Sequence, residues 1–134
     1  MLPGELSPGS PLDRLAKVAQ LDIWPSHVPP TPLELKARIE TADGVITTIA
    51  EQINPDVLEG ASRLKIVSQL GVGFDNIDVL ACSERGIFVT NTPDVVTDAT
   101  ADLTWTLLLS SARKVFEANI AIRESKWGAW HPSW

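Results

Sequence analysis

Between residues 11 and 90, short β-branched runs alternate with stretches of helical period, and no other feature narrows the possible folds so far. Pro11 to Gln20 places Leu12, Leu15, Ala16 and Ala19 on one helical face, and Leu33 to Ala42 does the same with Leu35, Ile39 and Ala42. Leu21 to Trp24 is a short strand candidate between them. Val45 to Ile49 is a β-branched run bounded by Asp43-Gly44, and Asn54-Pro55 opens another helix because proline suits a first helical position. Arg63 to Leu70 is a strand that runs straight into Gly71-Val72-Gly73. A helix from about Ile77 to Arg85 follows, closed by Gly86 as a left-handed cap, and Ile87 to Thr90 is the next strand. Such alternation implies parallel strands joined by right-handed crossovers, hence an α/β layered sheet. Residues 3 to 11 and Pro25 to Pro32 are rich in proline and read as loops.

At 134 residues the chain has room for one compact domain. A composition of 44% hydrophobic and 21% charged residues suits a chain that buries a core and excludes a disordered one. Seventeen acids against eleven bases give a net charge of -6, which opposes binding to nucleic acid or anionic lipid by counterion release. The one cysteine, Cys82, cannot form an internal disulfide; it falls within a predicted helix and reads as a small packing residue of a cytoplasmic protein. Met1 to Glu5 lacks the basic start and apolar run of a signal peptide. The longest strongly apolar stretch without charge, Leu103 to Ala112, has ten residues where a membrane span needs roughly 20. A soluble chain with no membrane or nucleic-acid partner is expected.

The last third differs in character. Thr97 or Asp98 is placed to cap a long helix, with Asp98 and Asp102 near the positive end of its dipole. Leu103, Trp105, Leu107, Leu108, Leu109 and Ala112 leave almost no polar face, so this helix should be covered on more than one side. Trp127, Trp130 and Trp134 then crowd around Gly128 and Pro132, and such a tail should meet a partner surface or a further part of the chain.

Gly71-Val72-Gly73 follows a strand that is apolar on both faces, which puts the loop at the carboxyl edge of a parallel sheet, where open α/β folds hold ligands. Glycines there allow a tight turn that aims N–H groups at a carboxylate or phosphate; the alternative is a plain strand-to-helix turn. A dinucleotide fingerprint is not met: Asn76 stands where its third glycine belongs, and the next strand ends in Asn91 rather than in a ribose-binding acid. A small carboxylate still fits. Neither His27 nor His131 has a partner at metal-ligand spacing, so no zinc site is expected. Asp75, Asp78, Asp94 and Asp98 read as helix caps and solvated loop residues.

Three stretches in order, Arg63 to Asp78, Arg85 to Pro93 and Thr97 to Leu103, resemble the D-isomer-specific 2-hydroxyacid dehydrogenase family. Trp127-Gly128-Ala129-Trp130-His131-Pro132-Ser133-Trp134 is similar to the tail of its glyoxylate and hydroxypyruvate reductase branch. The resemblance implies a flavodoxin-like substrate domain over residues 1–96, and a linking helix with a tryptophan-rich tail over 97–134 that leads toward a Rossmann domain. It implies NAD- or NADP-dependent reduction of a 2-oxo acid such as glyoxylate or hydroxypyruvate. The backbone N–H groups of Val72 and Gly73 would hold the substrate carboxylate, Thr100 would lie near the cofactor, and Trp130 would reach the neighbouring subunit's pocket in a homodimer. The family's GxGxxG and its catalytic arginine, glutamate and histidine are expected beyond residue 134, and His131 is not that histidine. Leu2-Pro3 matches a point just after the family's first strand, so that strand is expected to be absent. The alternative within the same fold family is a nucleotide-sensing module of the corepressor kind.

Overall fold

Four helices start where the sequence supplies a hydroxyl, amide or carboxylate to accept from a free N–H. Ser10 caps α1 (Pro11–Ala16), Thr31 caps α2 (Pro32–Ile39), Asn54 caps α3 (Pro55–Leu58) and Asp78 caps α4 (Val79–Glu84). In the first three a proline follows the cap, in the position where its missing N–H leaves no helical bond unmade. At α2 the cap is reciprocal, since Glu34 also accepts from the Thr31 backbone N–H at 2.8 Å.

The molecule is described by a computed structural model over residues 9–132; Leu2-Pro3 and the tail residues Ser133 and Trp134 lie outside the described residues. Strands β1 (Gly44–Thr47), β2 (Ile66–Gln69) and β3 (Phe88–Thr90) form a parallel sheet in the order β1-β2-β3. The register aligns Val45 with Val67 and Val67 with Val89. The alternation of helices and strands is therefore the expected α/β arrangement. Strand parity turns Val45, Thr47, Val67, Gln69 and Val89 toward a core completed by Leu35, Ile39, Ile53, Val57, Leu58 and Cys82. Each fully buried aliphatic side chain there stabilises the fold by about 1.5–3 kcal/mol. Gly86 takes φ +70° after α4, the left-handed cap expected of it.

Two expectations about this part need correction. Leu21 to Trp24 forms no strand: the prolines around it withhold ladder donors, and local bonds take over. Trp24 Nε1 donates to Val28 O at 2.7 Å, and the Arg38 guanidinium lies 4.8 Å from the Trp24 ring centroid while pairing with Asp22. Nor is β2 buried on both faces. Its outward neighbours Ile46 and Phe88 are 57% and 74% exposed, and Ile66 on β2 itself is 38% exposed.

Two units divide the chain between Thr92 and Pro93. The second holds α5 (Thr97–Ala112) and α6 (Val115–Arg123), joined through Lys114 at φ +53°. The cap of α5 is Val96 with no side-chain bond, not Thr97 or Asp98, because both of those already lie within the helix; Asp98 keeps its place in the first turn. Thr104 and Thr106 return their hydroxyls to Thr100 O and Asp102 O, each at 2.7 Å. Contrary to expectation α5 carries no buried residue, and α6 buries Ala121. No helix among the described residues is long and apolar enough to cross a membrane.

Candidate functional site

The loop from Gly71 to Asn76 leaves the carboxyl end of β2, and its first residues are fastened from the ends of β2 and β3. Thr92 N–H donates to Gly71 O at 3.0 Å and Asn91 Nδ2 to Val72 O at 2.9 Å. From β2, Gln69 Nε2 donates to Gly73 O at 3.0 Å, and Ile77 N–H closes on Phe74 O at 2.9 Å. Four consecutive carbonyls are thus engaged by the scaffold. Among the described residues, none of the N–H groups from Gly71 to Asn76 donates to another protein group. A run of amides left without protein acceptors at a sheet edge is the arrangement that binds an anion.

Beneath the loop lies a closed polar network. Gln69, with no exposed surface, accepts from Thr47 Oγ1 at 2.8 Å and donates to Asn76 Oδ1 at 3.1 Å. Asn76 Nδ2 donates to Thr48 O at 3.0 Å and Glu51 O at 2.7 Å, which ties the loop to the segment after β1. The amide of Gln69 has one workable orientation, because turning it over would set its oxygen against two other acceptors. Every buried side-chain polar atom among the described residues has a partner. A parallel bridge between Ile53 and Ile77 completes the bracing, with Ile53 N–H donating to Asn76 O at 2.8 Å.

An open depression of about 340 Å³ beside the loop is lined by Ile49, Gln52, Gly73, Asp75 and Asn76. Among the described residues no cation lines it, and the charged residue in its lining is the acid Asp75. The electrostatic counterpart for an anion there must therefore come from a group outside this lining.

The structure brings Val72 and Gly73 together on one loop, both exposed. Their surroundings correct one part of the sequence reasoning: neither Gly71 nor Gly73 takes a positive φ, and a Cβ on either would make ordinary contacts. The N–H groups are aimed by the tethered carbonyls and not by glycine's special angles. Asn76, weighed in the sequence as a failed third glycine, is the buried hub of the network, and Gln69 was absorbed into an apolar strand. For Gln69 a signal lies in the inward parity it shares with Val67; for Asn76, in a loop, parity offers none. Asp78 is a cap as expected, donated to by Ala81 N–H at 2.8 Å. Cys82 is fully buried, and burial, with the Asp78 charge beside it, pushes its thiol pKa up. Thr100 and Trp130 lie in the other unit, Thr100 on α5 and Trp130 in the tail with 81% exposure. His27 is an exposed loop residue.

Residues 8–126 match the family model described as D-isomer specific 2-hydroxyacid dehydrogenase, catalytic domain. A glyoxylate reductase of Thermococcus kodakarensis is 41% identical over 131 residues, covering 95% of this chain and 39% of its own length. The crystal structure of the TT0316 protein from Thermus thermophilus superposes with a TM-score of 0.85 at 43% identity, covering 90% of this chain and 39% of that one. A cofactor (NAD+) bound 3-phosphoglycerate dehydrogenase of Entamoeba histolytica gives a TM-score of 0.55 at 34% identity, over 62% of this chain and 27% of that one. The chain spans about two fifths of the length of the curated relatives it matches.

Proposed function

The chain belongs to the D-isomer specific 2-hydroxyacid dehydrogenase family, and from that membership we propose that it forms the carboxylate-binding part of an oxidoreductase reducing 2-oxo acids to 2-hydroxy acids. The family is NAD-dependent and acts on small 2-hydroxy and 2-oxo acids. Glyoxylate and hydroxypyruvate are the proposed substrates. The observation that carries this reading is the loop with engaged carbonyls and six consecutive N–H groups that, among the described residues, meet no protein acceptor. Val72 and Gly73 N–H are assigned to the substrate carboxylate, and Gly73 also lines the open depression.

When bound, NADH or NADPH supplies the hydride. The loop lacks the dinucleotide fingerprint for that cofactor's pyrophosphate, since Asn76, buried and bonded to Thr48 O and Glu51 O, stands where the third glycine belongs and Asn91 where the ribose-binding acid belongs. Cofactor binding is accordingly assigned to another part of the whole protein, with Thr100 at its margin. The cation missing from the depression is likewise assigned elsewhere. Residues 1–96 are read as the substrate domain and 97–134 as the linking helix and tail of a cytoplasmic homodimer, in which Trp130 contributes to the neighbouring subunit's pocket. No observation favours the corepressor alternative.

Gly73→Val in the whole protein tests the reading. The position has room for a side chain within the fold, so a valine should leave folding intact while standing in the carboxylate's approach. The expected result is a fall in kcat/KM on glyoxylate of about a hundredfold, the scale on which a misplaced substrate loses rate. A wild-type kcat/KM would overturn it.

A further inference from the structure

We infer that Asn91 is a positioning residue for the substrate carboxylate, setting the direction of the Gly73 N–H, and that Gln69 supports it by holding the peptide plane that follows, from Gly73 O to Phe74 N–H. This rests on the carboxylate reading above. The argument is stereochemical: across a trans peptide the C=O of one residue and the N–H of the next point in opposite directions. Fixing Val72 O on Asn91 Nδ2 at 2.9 Å therefore turns the Gly73 N–H away from β3. Fixing Gly73 O on Gln69 Nε2 at 3.0 Å turns the Phe74 N–H away from the core in the same manner. Thr92 N–H, bonded to Gly71 O at 3.0 Å, does this for Val72 with backbone alone, so no side chain is needed there. Asn91 stands at the end of β3, where a dinucleotide fold would carry an acid. An acid could not donate to Val72 O when ionised, whereas an amide can. The residue type that speaks against a ribose site is thus the one the carboxylate loop requires.

Kinetics on the whole protein with Asn91→Ala and Gln69→Met test this, with glyoxylate as substrate, oxalate as unreactive inhibitor and NADH binding read by fluorescence. Loss of one orienting bond should raise the KM for glyoxylate about tenfold and weaken oxalate in step. Because the bond acts on ground and transition states alike, kcat should stay within about twofold and the NADH dissociation constant should not move. Thr90→Val, which removes the Thr90–Ser68 hydroxyl bond of 3.0 Å without touching a loop carbonyl, should change none of these. An unchanged KM in Asn91→Ala, with an active wild type, overturns the positioning role and leaves the carboxylate reading standing. A parallel fall in kcat, NADH binding and thermal midpoint makes Asn91 merely structural and overturns the role as well. A wild type that neither reduces glyoxylate nor binds oxalate overturns the carboxylate reading itself and the positioning role with it. Should Gln69→Met fail to fold, Asn91→Ala decides alone, since Asn91 is half-buried and lies outside the core cluster.

Discussion

A methyl group added at Gly44 would sit 2.9 Å from Ile66 Cγ2, closer than Cβ atoms approach other groups, whereas one added at Gly73 would meet Asp75 Oδ2 at an ordinary 3.7 Å. Gly44→Ala is therefore expected to lower stability by roughly 1–3 kcal/mol through overpacking of the β1–β2 pair, read as a drop in denaturant midpoint at constant slope. Gly73→Ala should leave that midpoint unchanged and raise the KM for glyoxylate. The reverse pattern would mean that the loop glycine serves the fold. Trp130→Ala should chiefly alter which 2-oxo acids are accepted, by roughly 1–3 kcal/mol in discrimination as apolar pocket contacts do. An unchanged ranking of glyoxylate, hydroxypyruvate and bulkier acids would sink the assignment of that side chain to a pocket. For Cys82 the raised thiol pKa means that the folded state holds its proton more tightly than the unfolded state. Stability from this source is fully present below the usual thiol value of 9.0 and is lost as pH rises through the folded one. Alkylation of Cys82 at neutral pH should accordingly be slow until denaturant is added.

At the scale of elements, the caps decided how much could be read. Asn54-Pro55 announced α3 and Gly86 announced the end of α4, because each solves a local problem of free backbone groups that neighbouring residues reveal. The capping box of Thr31 and Glu34, which the apolar spacing of Leu33 to Ala42 does not reveal, is equally local. Its charge gives a further test: the hydrogen bonds from Thr31 hold the Glu34 carboxyl below its usual value of 4.5. A carboxyl lowered on folding contributes stability above its unfolded pKa and loses it as pH falls through the folded value. Glu34→Gln should thus lower the thermal midpoint at pH 7, with the difference from wild type shrinking as pH falls below 4.5 and through the lowered folded value. A difference that persists at low pH would show that the charge is not what matters. What stayed illegible was tertiary. Gln69 could not be distinguished from a solvated strand residue until Thr47 and Asn76, distant in sequence, were seen to satisfy it. Leu21 to Trp24 read as a strand because propensity says nothing about whether a neighbouring edge is available. The start of α6 carries no such local mark, because its cap is Lys114 at φ +53° with no side-chain bond.

For the molecule as a whole, both units carry apolar surface that their own elements leave bare. On the sheet it is Ile46, Ile66 and Phe88; on α5 it is Leu103, Trp105, Leu107, Leu108 and Leu109, each more than half exposed. Contiguous apolar patches beyond a few hundred Å² are uncommon on stable monomers and mark surfaces that associate. A chain of 134 residues that spans about two fifths of its curated relatives should therefore behave, when made alone, as a marginally stable or self-associating species. Its sedimentation coefficient should rise with concentration and it should bind a hydrophobic dye. Leu103→Gln with Leu108→Gln should reduce both effects without lowering the content of secondary structure, because neither side chain is buried in the fold. The same chain should turn over no glyoxylate with either reduced nicotinamide, since no cation is among the residues lining the depression beside the proposed carboxylate loop, and Asn76 stands where a pyrophosphate loop carries its third glycine. Turnover above background in a clean preparation would overturn that expectation. A sharply melting monomer that binds no dye would show instead that the apolar faces of α5 and the sheet are tolerated in water.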